Sequence, residues 1–151
     1  MKKIFICFTL LILLCGCTKE ETFKCNIDLY NEIEEYTLTA EYKIYYEKTF
    51  VTKIEKKEEY KSDNKKTLEF YEEYKNLEHK NLNELYGNIE YLVERKKDKV
   101  LVSSTMNMEL IDIKKMIRNK LIDRDYVISN KLTTGGIRKI YESKGAICEE
   151  G

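Results

Sequence analysis

The sequence contains no proline and no tryptophan, one histidine and six glycines in 151 residues. The missing proline argues against disorder, as do the 12 tyrosines. Disordered chains are poor in aromatic and β-branched residues and are usually rich in proline. Neither sign of charge dominates, with 27 basic and 27 acidic residues. That argues against a nucleic-acid partner, which needs a basic face, and against a polybasic membrane patch. The chain also lacks a Walker loop, a Gly-x-Ser-x-Gly elbow, a His-Glu-x-x-His pair and a dinucleotide fingerprint. Gly135-Gly136 is the only glycine pair, and it reads as a helix cap or a turn. No enzymatic activity is expected from this inventory, although a small envelope hydrolase or thiol-redox protein stands as the alternative.

What is present begins with an apolar run. Ile4 to Leu14 is unbroken apart from Thr9; it holds about eleven residues where a spanning helix needs about twenty. With Lys2 and Lys3 ahead of it, the run fits a secretory signal. It ends Leu14-Cys15-Gly16-Cys17, which resembles the lipobox of bacterial lipoproteins. The resemblance implies a diacylglyceryl thioether on Cys17 and cleavage just before it. Cys15 departs from the usual Ala, Ser or Thr but is small. An ordinary secretory signal cut nearby, or an uncleaved apolar N-terminus, is the rival. The expected organisation is a signal peptide over 1–16, a lipidated cysteine and tether over 17–24, and one domain over 25–151. Two acyl chains anchor stably where one is marginal, which places the expected site on the extracytoplasmic face of a cell membrane. The membrane is then one partner, and an envelope protein or peptide is a second.

Five cysteines sort by position. Cys7 and Cys15 leave with the signal, Cys17 takes lipid, and Cys25 and Cys148 remain near the two ends of the body. An exported domain is free to form disulfides, so Cys25 and Cys148 are expected to pair; two free thiols are the competing reading. Two distant cysteines and the lone His79 fall short of the usual zinc ligand sets, and no cofactor is expected. His79 is placed at the end of a helix, where a solvated cation meets the helix dipole, without the partner a general base requires.

Periodicity supplies the body. Tyr36, Leu38, Ala40, Tyr42, Ile44 and Tyr46 alternate with polar residues, the pattern of a half-buried strand. A second strand from Thr49 to Tyr60 turns Phe50 and Ile54 inward and completes a hairpin. The charges from Glu55 to Glu59 read as a solvated face. Leu68, Tyr71, Tyr74 and Leu77 recur at helical spacing over 65–79, with Ser62 or Asp63 as cap. Another strand pair carries Ile89, Tyr91 and Val93, then Val100 to Met108. Asp112 heads a short helix, and a final helix with Ile137, Ile140 and Tyr141 ends at Gly145. Tyr30, Tyr45 and Tyr60 sit off the core pattern. The expected class is α+β: an about four-stranded, mostly antiparallel sheet with two to three helices on one face.

The order of elements, with Tyr74-Lys75-Asn76, Tyr86-Gly87-Asn88-Ile89, Leu110-Ile111-Asp112-Ile113 and the closing Gly145, resembles small YehR-like bacterial lipoproteins, a family whose domain has no assigned function. The Cys25 and Cys148 pair departs from that pattern. The resemblance implies a lipid-anchored α+β domain and supplies no catalytic residue.

Overall fold

A computed structural model of the chain describes residues 20–150. Cys17, the expected lipid site, and the expected signal peptide lie outside the described residues. Eight strands and three helices follow in order: β1 (Glu21–Asn31), β2 (Tyr36–Glu47), β3 (Phe50–Lys61), α1 (Lys65–Tyr86), β4 (Ile89–Arg95), β5 (Lys99–Asn107), α2 (Ile113–Arg118), β6 (Val127–Ile128), β7 (Lys131–Leu132), α3 (Thr134–Glu142) and β8 (Ile147–Glu150). The main sheet has six antiparallel strands in the order β4-β5-β3-β2-β1-β8. The class is α+β as expected, but the sheet has six strands instead of about four.

The two additional strands have separate causes. β1 alternates Phe23, Cys25, Ile27 and Leu29 with Lys24, Asn26 and Asp28, a period of two as regular as that of β2. It starts at Glu21, so the segment expected as tether already contributes Phe23 to the core. β8 is only four residues long and holds its place by pairing with β1 through Cys25↔Cys148 and its neighbours.

Register decides which side chains face the helices. One row across the sheet reads Cys148, Cys25, Tyr42, Lys56, Ser104, Tyr91, and the next reads Ile27, Ala40, Glu58, Val102, Val93. Tyr141 of α3 stacks on Tyr42 at 4.1 Å, and Tyr71 of α1 stacks on Tyr60 at 4.5 Å. Because Tyr42 and Tyr60 share a sheet face, both helices cover the same side. An irregularity between Tyr45 and Tyr46 shifts the β2–β3 register. It turns Val51, in place of the expected Phe50, into the core.

The helices stop and start where their caps require. Asn64 Oδ1 accepts from Lys66 N at 3.0 Å, and α1 runs on past the expected residue 79 to Tyr86. Gly87 closes it at φ 65°, backbone that an L side chain rarely adopts. Asp112 caps α2 as expected. Thr133 caps α3 by accepting from Gly136 N at 3.0 Å. Gly136 also lies against Tyr126: a Cβ there would come within 2.9 Å of the Tyr126 backbone. The glycine pair is thus a cap and a close approach in one.

Candidate functional site

α1 rests mainly on β4 and β5, and α3 on β8, β1 and β3. The strip of sheet between them is incompletely roofed. A cavity of about 780 Å³ opens there. Its floor is Tyr42, Ile54, Lys56, Glu58, Ser104 and Met106, and its far wall includes Met108, Met116, Ile122 and Ile140. Tyr74, Leu77, Leu85 and Leu121 line the same space and are exposed.

Four charged groups meet at one side of this cavity. Lys56 lies 3.3 Å from Glu58 Oε2, Lys75 lies 3.5 Å from the same oxygen, and Lys75 donates to Glu78 at 2.8 Å. Tyr42 directs its hydroxyl at Glu58 Oε1, a long 3.5 Å hydrogen bond. Glu58 is 7% exposed and Lys75 likewise 7%. Isolated charges buried this deeply are expensive, and paired ones are tolerated.

The physical chemistry of the cluster follows from burial. Burial holds the Lys56 ammonium below the ordinary lysine pKa, with Glu58 opposing and Lys75 adding to the effect. Burial also pulls on Lys75, but Glu58, Tyr60 and Glu78 outweigh it and keep that ammonium above the ordinary value. For Glu78 the burial penalty is overcome by the hydrogen bond and charge of Lys75, so its carboxyl sits low. Burial, reinforced by Glu58, pushes the phenols of Tyr42, Tyr60 and Tyr141 upward, and they remain protonated donors.

His79 is not at a solvated helix end. It lies mid-helix and is 2% exposed. Its ring stacks on Tyr91 at 5.3 Å, and Nδ1 donates to the Lys75 carbonyl at 2.8 Å in the tautomer that protonates it. Burial, with the Lys56 charge, depresses its pKa below 6.5. The unfolded chain therefore takes up a proton first as pH falls. The stability contributed by neutral His79 is complete above pH about 6.5 and is lost as pH drops through the lower folded value. Melting temperature is expected to fall between pH 7 and 5, and His79→Gln is expected to flatten that slope. Glu78 acts in a separate window below its ordinary 4.5, so an unchanged slope between pH 6.5 and 5 in the variant would contradict the assignment.

The sequence reading missed the rest of this site. The Lys/Glu run of β3 was expected to be solvated, yet Lys56 and Glu58 share the face of Ile54 and Tyr60. The buried line of α1 is Leu68, Tyr71, Lys75, His79 and Tyr86, while Tyr74 and Leu77, expected inside, are exposed. Tyr60, expected off the core, is buried; Tyr30 is exposed; and Tyr45 donates to Glu55 at 2.8 Å with the Lys53 ammonium over its ring. Those three tyrosines form no common patch. Cys25 and Cys148 are joined by a disulfide, with Cα atoms 4.0 Å apart, and Cys25 has no exposed surface. Among the described residues, no group of three or more His, Cys, Asp or Glu side chains is placed to hold a metal ion, and no helix is long and apolar enough to cross a membrane.

The arrangement defines an α+β domain with an antiparallel sheet, helices on one face only, and an apolar cavity bearing a buried charge cluster between them. No protein-family model and no curated protein sequence matches the chain. Solved structures do. The solution structure of the Escherichia coli YehR protein superposes with a TM-score of 0.54 at 16% identity, over 89% of this chain and 94% of that one. The solution structure of a protein from Streptococcus pneumoniae TIGR4 superposes with a TM-score of 0.51 at 11% identity, over 89% of this chain and 88% of the other. The chain has a YehR-like fold.

Proposed function

We propose that the protein is a lipoprotein held on the extracytoplasmic face of a cell membrane by a diacylglyceryl group on Cys17, and that its folded part is a non-enzymatic binding module. The cavity between α1 and α3 carries the binding half of this reading. Its volume of about 780 Å³ falls in the roughly 300–1,000 Å³ range of small-molecule sites, which pair an apolar lining with a few placed polar groups. The anchor half draws its support from the Leu14-Cys15-Gly16-Cys17 sequence and the apolar run before it.

The rival reading, an envelope hydrolase or thiol-redox protein, draws less support. A redox bridge is characteristically strained or exposed; here Cys25 is wholly enclosed and Cys148 is half-buried. A hydrolase needs a base beside a nucleophile, and the only histidine is stacked under a tyrosine and bonded to a helix carbonyl.

Mass spectrometry of protein released from cells tests both halves. The denatured product is expected to begin with a diacylated Cys17, and Cys17→Ser is expected to remove that mass. Under native conditions, a noncovalent ligand mass is expected on the folded protein. An unmodified N-terminus would overturn the anchor, and a uniformly empty native protein would overturn the binding half.

A further inference from the structure

We infer that the cavity between α1 and α3 takes a single-chain amphiphile with an anionic head, the head seated on Lys56 and Ser104 and the chain lying against Met106, Met108 and Met116. The inference rests on the binding reading above and gives it a ligand class.

The head position follows from the order of charges. Lys56, Glu58, Lys75 and Glu78 form a row of alternating sign with successive separations of 3.3, 3.5 and 2.8 Å. The row ends on a carboxylate toward solvent, where the Glu78 side chain is 32% exposed. All four residues line the cavity, and at its other end the row finishes on a cation, Lys56, whose side chain is 18% exposed. Lys75 has a carboxylate on either side. Lys56 has only Glu58, and that carboxylate is shared. An anion placed against Lys56 continues the alternation, and a largely enclosed ammonium gains a second partner. A cationic head at the same place would meet Lys56 directly.

Ser104 supplies an independent observation. It is the direct register partner of Lys56 on the same sheet face, and it lines the cavity. Its hydroxyl has no hydrogen bond among the described residues. A cation and an uncommitted hydroxyl side by side at the floor of an apolar space fit one small oxyanion.

The chain position follows from the remaining lining. Three of the four methionines in the sequence, Met106, Met108 and Met116, lie on this cavity. Methionine is unbranched and adapts to irregular partners, which suits a flexible chain better than a rigid ring. Ser104 and Met106 stand two residues apart on one face of β5, roughly 7 Å along the strand, and Met108 follows just past its end. Leu77, Leu85 and Leu121 are exposed on the same cavity and offer the apolar entrance such a molecule needs.

Isolated membranes carrying the full chain are incubated with tetradecanoate bearing a photoreactive diazirine and irradiated, and the cross-linked residues are mapped by mass spectrometry. Label is expected on peptides containing Met106, Met108 or Met116. Tetradecanoate and tetradecyl phosphate are each expected to compete about tenfold better than tetradecanol, and the stronger of the two names the head group. Lys56→Met is expected to erase the preference for the charged competitors while label persists, which also reports that the variant is folded. Ser104→Ala, which leaves the Lys56–Glu58 pair in place, is expected to weaken the preference. If tetradecanol competes as well as the anions, or if Lys56→Met leaves the preference intact, the anionic head is overturned and the cavity stands as a binding site. If no label reaches the cavity peptides, the binding reading itself fails.

Discussion

Replacing Cys25 and Cys148 by alanine is expected to lower the unfolding free energy by about 4–5 kcal/mol. The bridge closes a sequence separation of 123 residues, nearly the whole described chain, and a loop of that length restricts the unfolded ensemble strongly in the chain-entropy account. Domains of this kind are stable by about 5–15 kcal/mol in total, so the loss is a large share. Its structural site is the β1–β8 edge. β8 is paired through only four residue positions, Phe23↔Glu150 to Asn26↔Ile147, and a strand so short has little to hold it once the covalent link is gone. Urea unfolding of the oxidised wild type, the reduced wild type and the double variant measures the effect. A drop below about 1 kcal/mol would show that the bridge does not constrain the unfolded chain as argued.

Glu58→Leu is expected to cost about 3–5 kcal/mol, the usual penalty for removing one member of a buried ion pair. The removed carboxylate is the centre of the cluster. Its side chain is 5% exposed, and both Lys56 and Lys75 reach the same oxygen. Without it, Lys75 keeps Glu78, but Lys56 is left with no carboxylate partner in a site that already holds its pKa down. The penalty comes from the stranded cation, so removing the cations as well should relieve it. Glu58→Leu combined with Lys56→Met and Lys75→Met is expected to recover most of the loss, since apolar replacement of a whole buried pair is often neutral. Glu78, partly exposed, remains able to hydrate. Urea midpoints at constant slope give the comparison. A single variant within about 1 kcal/mol of wild type would mean that water already solvates the cluster.

The hairpin of β2 and β3, the β4–β5 pair, the capped α2 and the glycine closing α3 were legible because local pattern and tertiary role agree there. β1 carries an equally clean alternation through Phe23, Cys25, Ile27 and Leu29, but its start overlaps the expected tether, whose polar residues mask the pattern. The cluster was hidden for a different reason. In β3 the residues sharing parity with Ile54 and Tyr60 are Lys56 and Glu58. Position along the strand therefore argued for burial, and hydropathy for solvent. α1 poses the same conflict, with Lys75 and His79 standing between Tyr71 and Tyr86 on the buried line. Each charge taken alone belongs outside. The enclosure of Lys56, Glu58, Lys75 and His79 is explained only when the two elements are brought together, and no single-segment pattern contains that pairing. Where local preference and global placement disagree in this way, a functional or strained site is the expected cause.

The sheet order has a consequence for how the chain is made. β1 is the first of the described strands to be synthesised, and β8, which covers one of its edges, is the last. Until β8 docks, that edge is bare, a template on which another strand can add, and the Cys25 thiol waits without its mate. Products truncated ahead of Ile147 would carry both liabilities permanently. β8 therefore seals that edge and pairs the Cys25 sulfur in one step.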